Sequence, residues 1–261
     1  MVLISSVSAP DIHYQVEGEG APVTLIHGVG SRAAGCEEIA KRLAPSFKVV
    51  RMDLRGHGAS GRIVGRCHLD DFVADVLAVL DNEAIGVTDL IGFSLGGMVA
   101  QCFALTHPGR VRRLGLISAV AGRTPEERKR LSDRAQTIRA EGVGSVIEAS
   151  AERWFTKGFR DDHPDKVAKR LTEIRANDPA SYAEAYRVFA ESDLADRLHS
   201  IPHPTLVMTG ENDIGSNPRM ARLMHKEIAN SHLVILPNLR HSILIEAPDV
   251  VVDHLVPFLQ S

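Results

Sequence analysis

A chain of 261 residues can bury roughly 70–75% of its unfolded surface, so it needs neither disulfides nor a structural metal to fold. Hydrophobic residues make up 44% and charged residues 24%, the proportions of a soluble globular protein built as one large domain or one domain with an insertion. A net charge of −3 and a pI near 6.5 give no electrostatic ground for a nucleic-acid partner or an anionic membrane.

The first residues, MVLISSVSAPDIHY, carry no basic leader and no apolar run of signal-peptide length. No segment approaches the ~18 apolar residues of a membrane span. Cys36, Cys67 and Cys102 are odd in number and share no close spacing, which argues against a disulfide framework or a zinc site. A cytoplasmic location is the expectation.

Residues 4–20, ISSVSAPDIHYQVEGEG, read as an antiparallel ribbon ending in a Gly-rich turn. Short apolar runs then alternate with helical periods. VTLIH (23–27), VVRMD (49–53), VTDLIGF (87–93) and VRRLGLISAV (111–120) predict buried strands. TLVMTG (205–210) and HLVILP (232–237) predict two more. Residues 33–44, 68–83, 95–107, 217–229 and 247–260 space their apolar side chains by three and four, as helices with one buried face do. This alternation predicts an α/β fold whose mostly parallel sheet is flanked by helices, because parallel strands need crossover connections.

Residues 121–200 break the alternation with charged helical segments such as TPEERKRLSDRAQTIRAEG and no convincing strand. They read as a helical cap inserted into a core formed by residues 1–120 and 201–261. Trp154, Phe155, Phe159, Tyr182, Tyr186 and Phe189 concentrate there. These rings predict a core for the insertion itself, with some of them turned toward a ligand. There is no internal repeat and no low-complexity linker.

One motif is a decoy. Gly28-Val29-Gly30-Ser31-Arg32-Ala33 matches the dinucleotide fingerprint, and Asp53 follows 25 residues after Gly28. Yet His27 directly precedes the motif, where a tight pyrophosphate turn has no use for it. Asp53 also runs into LRGHGAS, a second Gly-rich turn that leaves little room for an adenosine. No nucleotide or other cofactor is expected.

Gly92-Phe93-Ser94-Leu95-Gly96 carries the chemistry. It is G-x-S-x-G between a predicted strand and a predicted helix, the context in which a serine is forced into a sharp turn. The residues two before and two after the serine nearly touch there, which glycine allows at least cost. The turn lifts the hydroxyl above the sheet edge, at the positive end of the following helix. A hydroxyl needs a base, and the base needs an acid to hold one tautomer. His241, in PNLRHSILIEAPD after the last strand, is the candidate base. Asp213, in TGENDIGSNP after TLVMTG, is the candidate acid, with Glu211 the local alternative. The order serine, acid, histidine is that of the elbow enzymes. An oxyanion would be held by the N–H of Leu95 and by a second N–H after VTLIHG, that of Val29.

The other histidines have plainer readings. His57 in RGHG supports a turn near the site. His199 and His203 are separated by Pro202 and flanked by Pro204, so no helix aligns them on a metal. Cys36 and Cys102 fall on predicted helices as small apolar filler.

HGVGS, DLRGHGAS, GFSLGG, and GEND followed by LRHS stand in the order and spacing of the α/β-hydrolase family, which this chain resembles from about residue 10 onward. Within it the chain is most similar to 3-oxoadipate enol-lactonases, through AERWFTKGFR and EIRANDPASYAEAYRVFAESDL of the insertion as well. One pair departs: His27-Gly28 stands where those lactonases often carry Asn-Ser, and is the form seen in esterases and carbon–carbon hydrolases. The resemblance implies a serine hydrolase acting on an ester or lactone, a carboxylated enol-lactone of aromatic catabolism among them. A hydrolase of meta-cleavage diketones, a general carboxylesterase and a non-catalytic binding protein are the alternatives. Ser94 excludes the relatives that need a carboxylate or a cysteine nucleophile. The expected partner is a small molecule, with His27, Phe93, Arg153 and Trp154 as further substrate contacts. The sequence leaves the oligomeric state open, a homo-oligomer included.

Overall fold

The computed structural model describes residues 11–261. In chain order the elements begin β1 Tyr14–Glu17, β2 Ala21–Ile26, α1 Glu37–Leu43, β3 Phe47–Met52, α2 Leu69–Asn82, β4 Thr88–Phe93, α3 Leu95–Thr106 and β5 Val111–Ile117. Five helices follow: α4 Pro125–Glu141, α5 Gly144–Trp154, α6 Lys157–Asp162, α7 Pro164–Arg175 and α8 Pro179–Glu191. The chain closes with β6 Thr205–Gly210, α9 Pro218–Glu227, β7 Ser231–Leu236, α10 Ile243–Glu246 and α11 Pro248–Gln260.

The strands form one sheet in the order β1-β3-β2-β4-β5-β6-β7. Every pairing is parallel except that of β1 with β3. β1 belongs to the expected amino-terminal ribbon; residues 4–10 of that ribbon lie outside the described residues. Alternate strand residues serve opposite faces, as the pleat requires. Leu90, Leu116 and Val207 join the cluster built with α2, α3 and α9, whereas Ile91, Ile117 and Leu206 join the one built with α1 and α11. The apolar runs read from the sequence are nearly continuous because both faces are covered.

Most boundaries differ from the sequence reading by one or two residues, and three departures alter the course of the chain. The strand expected to reach residue 120 stops at Ile117, because Ser118 adopts φ 43° and turns the chain out of the sheet. The helix expected from residue 33 opens as a 3-10 turn, Ala33–Cys36, before α1. The short α10 precedes the last helix, with a break at Ala247.

Between β5 and β6 all the regular structure is helical. α4 starts where a reciprocal cap allows it. The Thr124 hydroxyl accepts from the Glu127 N–H at 3.2 Å, and the Glu127 carboxylate accepts from the Thr124 N–H at 2.8 Å. Pro125 occupies the first helical position, where its missing N–H costs nothing. Ile138, Ile147, Phe155, Phe159, Leu171, Ile174, Tyr182 and Tyr186 form a third buried cluster, separate from the two that sandwich the sheet.

Candidate active site

Ser94 sits between β4 and α3 with φ 55° and ψ −114°, a conformation costing a non-glycine residue roughly 1–3 kcal/mol. Its N–H donates to the Ile117 carbonyl at 3.0 Å, which ties the turn to β5. The flanking glycines are sterically required. A Cβ on Gly92 would lie 2.2 Å from the Gly96 carbonyl oxygen, and one on Gly96 would lie 2.2 Å from the Ile26 carbonyl oxygen. These contacts are to backbone of α3 and of β2, which cannot move without disturbing the helix or the sheet. Gly96→Val is therefore expected to lower the melting temperature by more than about 8 °C or to abolish cooperative unfolding, as severe core clashes do. Thermal unfolding followed by circular dichroism checks this, and a wild-type melting curve would refute the close approach.

β6 and β7 deliver the other two candidates from their carboxyl ends. Asp213 is buried, and its Oδ2 lies 2.7 Å from Nδ1 of His241. Its Oδ1 accepts from the N–H groups of Gly215 and Ser216, each at 2.9 Å. Burial alone would raise the Asp213 carboxyl, but the His241 charge and hydrogen bond, with those two backbone donors, hold it below its ordinary value. A carboxylate facing Nδ1 makes that nitrogen the one that carries hydrogen and leaves Nε2 with its lone pair. Glu211 is exposed and accepts from the Asn238 N–H at 2.9 Å, on a different loop. Asp213 and His241 line one cavity with Ser94; Glu211 does not.

The loop after β2 forms another wall. Ser31 N–H donates to the Gly28 carbonyl at 3.0 Å, and His27 Nδ1 lies 2.7 Å from the same oxygen. His27 Nε2 accepts the Leu54 N–H at 2.9 Å, so Nδ1 is the protonated nitrogen and donates to Gly28. Burial, with the neighbouring His57, pushes His27 well below its ordinary value and keeps it neutral. His27 lines the cavity, yet both ring nitrogens are committed to backbone, so it offers a substrate its ring surface and no free polar atom. In a trans peptide the N–H opposes the preceding carbonyl, so fixing the Gly28 oxygen fixes the direction of the Val29 N–H. Val29 lines the cavity. The Leu95 N–H lies in the first turn of α3, where a helix leaves amides without intrahelical partners.

The decoy residues are accounted for. Asp53 Oδ1 accepts from Ala33 N–H at 2.6 Å and Oδ2 from Ala59 N–H at 2.8 Å, so its carboxylate joins two loops. His57 donates through Nδ1 to the Arg55 carbonyl at 3.0 Å and meets the His27 ring edge-on. Burial lowers its pKa to about 4. It braces the turn beneath the site, as its place in RGHG suggested.

The cavity measures about 370 Å³, within the range of small-molecule sites. Phe93 and His241 meet across it with ring centres 5.0 Å apart. Arg153 and Trp154, at the end of α5, both line it, and the Trp154 carbonyl accepts from Ser242 N–H at 2.9 Å beside His241. Of the six aromatic residues between β5 and β6, Trp154, Tyr182, Tyr186 and Phe189 face the cavity, while Phe155 and Phe159 stack on each other in the third cluster. Arg130 and Arg134, from the charged segment ERKRLSDRAQTIR, also line the cavity, as does Arg170 of α7, to which no motif points. Arg134 and Arg153 both donate to the Ser150 hydroxyl, at 2.7 and 2.9 Å.

The sequence profile of the alpha/beta hydrolase fold matches residues 21–248. The chain belongs to the alpha/beta hydrolase family. Among relatives of this hydrolase, the (E)-2-((N-methylformamido)methylene)succinate hydrolase of Acinetobacter baylyi is 28% identical over 253 residues, covering 95% of this chain and 94% of its own. The 3-oxoadipate enol-lactonase 2 of the same organism is 28% identical over 235 residues, covering 88% of this chain and 87% of its own. The crystal structure of the enol-lactonase from Burkholderia xenovorans LB400 superposes with a TM-score of 0.91 at 27% identity over 97% of both chains. The likeness to enol-lactonases seen in the motifs thus extends over the whole chain, and the protein is an enzyme of the hydrolase class. Among the described residues no helix is long and apolar enough to cross a membrane.

Proposed function

We propose that this alpha/beta hydrolase cleaves an ester or lactone through an acyl-enzyme on Ser94, beneath a cap formed by residues 121–200. The observation that carries the reading is the hydrogen bond from His241 to buried Asp213, which opens on the same cavity as the strained elbow serine. Ser94 Oγ attacks the substrate carbonyl carbon while His241 Nε2 takes its proton. The oxyanion that forms is held by the N–H groups of Val29 and Leu95. Collapse breaks the bond to the leaving oxygen, which receives the proton from His241. Water, deprotonated by the same nitrogen, then attacks the acyl-enzyme and frees the acid and Ser94. These steps need no metal and no nucleotide.

The substrate we propose is a small ester or lactone bearing a free carboxylate, an enol-lactone of aromatic catabolism being the leading case. Two relatives are named for derivatives of succinate and 3-oxoadipate, which supports this class. The cavity walls support it as well. Arg130, Arg134, Arg153 and Arg170 line the cavity. Its two carboxylates are engaged elsewhere: Asp213 with His241, and Glu127 with Arg219, Asn217 and the Thr124 N–H. A guanidinium grips a carboxylate in a bidentate manner, and a charged hydrogen bond contributes about 1.5–3 kcal/mol. The free-acid lactone should therefore be hydrolysed at least about tenfold faster in kcat/KM than its methyl ester, and Arg153→Met should erase that preference. Equal rates on acid and ester, unchanged in Arg153→Met, would refute carboxylate recognition and make a general carboxylesterase the better reading. Turnover of a meta-cleavage diketone in preference to any lactone would move the assignment to carbon–carbon hydrolysis.

A further inference from the structure

We infer that Arg170 and Asn177 are positioning residues for catalysis: from the helical segment they hold the Gly28–Ser31 loop in the shape that presents the Val29 N–H to the oxyanion. The inference rests on the serine-hydrolase reading above.

A loop with glycine at two of four positions has little intrinsic preference for one shape, so its conformation depends on what its carbonyls bond. The Gly28 oxygen is pinned from within the core, by the Ser31 N–H and His27 Nδ1. The Gly30 oxygen is pinned from the other side of the cavity. Arg170 Nη1 donates to it at 2.8 Å and Asn177 Nδ2 at 3.2 Å, and both side chains are buried. The same Asn177 amide nitrogen lies 3.0 Å from the Ile174 carbonyl, so the grip is anchored to the end of α7. Between the two pinned carbonyls, the Val29 side chain packs into the third cluster as well as against the core. Tyr182 closes against the loop: a Cβ on Gly30 would meet its ring at 2.6 Å.

Packing alone does not call for a guanidinium at this place. The nearest carboxylate oxygen of Glu173 is 3.8 Å from Arg170 and the Trp154 ring centre is 5.9 Å from its guanidinium carbon, so the buried cation has one loose ion pair, one distant ring and one firm bond to the loop. Burying a charge so sparsely compensated costs stability. A cation lining the same cavity gives a return in catalysis, because it favours negative charge developing on the substrate oxygen. The helical segment thus has a second task besides roofing the cavity: it sets a wall of it.

The test uses p-nitrophenyl acetate as substrate and phenylboronic acid, which forms a tetrahedral adduct on a serine, as the transition-state probe. Losing one oxyanion donor costs about 10²–10³ in kcat, and a misdirected donor costs part of that. Arg170→Met should lower kcat about tenfold, and the Arg170→Met/Asn177→Ala pair about a hundredfold, with KM within about twofold of wild type. The boronate dissociation constant should rise by the same factors. Arg170→Lys, which keeps the cation and one donor, should recover part of the loss. If Arg170→Met does not fold, Arg170→Lys and Asn177→Ala carry the same comparison. A fall in melting temperature with kcat and boronate affinity unchanged would overturn the inference and leave these residues as struts. Activity retained in Ser94→Ala would instead overturn the serine reading itself, so the two failures are told apart.

Discussion

Ser94→Ala is expected to fold like the parent protein and to lose turnover by up to about a millionfold, since a serine, its base and its acid act as a unit. The substitution removes one oxygen from a position already lined by backbone. It leaves the strained φ of 55° and the Ser94 N–H bond to Ile117 in place, so no large change in melting temperature should accompany the loss. The residual rate over water would come from binding and the oxyanion donors alone. A fluorophosphonate should label wild type on a single peptide containing Ser94 and should leave the alanine variant unlabelled. Turnover that persists in purified Ser94→Ala, with contaminating esterase removed by immunocapture, would refute the covalent mechanism.

What the sequence discloses about this molecule follows from where its constraints are local. β6 is legible to the residue because all six of its positions are buried and a glycine ends it. The elbow is legible because two glycines around one serine answer to contacts that only a missing Cβ permits. The pairing of Asp213 with His241 is legible because Asp213 follows β6 and His241 follows β7, neighbouring strands of the sheet. The end of β5 was overestimated, since Ser118 leaves the sheet through a positive φ that apolar Ala119 and Val120 give no reason to expect. The cavity roof was legible only as a segment. ERKRLSDRAQTIR offers arginines all around α4, where exposed Arg128 pairs with Asp193 while Arg134 and the likewise exposed Arg130 line the cavity. No local pattern separates them, because the choice is made by the packing of α4 against its neighbours. Arg170 stands between Lys169 and Leu171 as one more polar residue of a helix; its partner, the Gly30 carbonyl, is 140 residues away in the chain.

Asp213→Asn should fold and yet lose about 10⁴ in kcat, and the reason lies in what each carboxylate oxygen accepts. Oδ1 takes two backbone N–H groups and Oδ2 faces His241 Nδ1, so the carboxylate accepts on both sides and donates nowhere. An asparagine has one accepting oxygen and one donating nitrogen. Turning the nitrogen toward Gly215 and Ser216 would set it against two N–H donors at about hydrogen-bond distance. The oxygen therefore stays there, and the NH₂ group faces His241. That favours the imidazole with its lone pair on Nδ1 and its hydrogen on Nε2, pointing at the cavity, where it can no longer accept the serine proton. Both backbone N–H groups remain satisfied, so the loop after β6 should keep its shape and the melting temperature should stay near that of wild type. Glu211→Gln serves as the comparison, since Glu211 is exposed and bonds the Asn238 N–H, which a glutamine oxygen can accept equally well. The measurement is kcat with fluorophosphonate labelling rates for both variants, and an inactive Glu211→Gln beside an active Asp213→Asn would show that the wrong acid had been assigned.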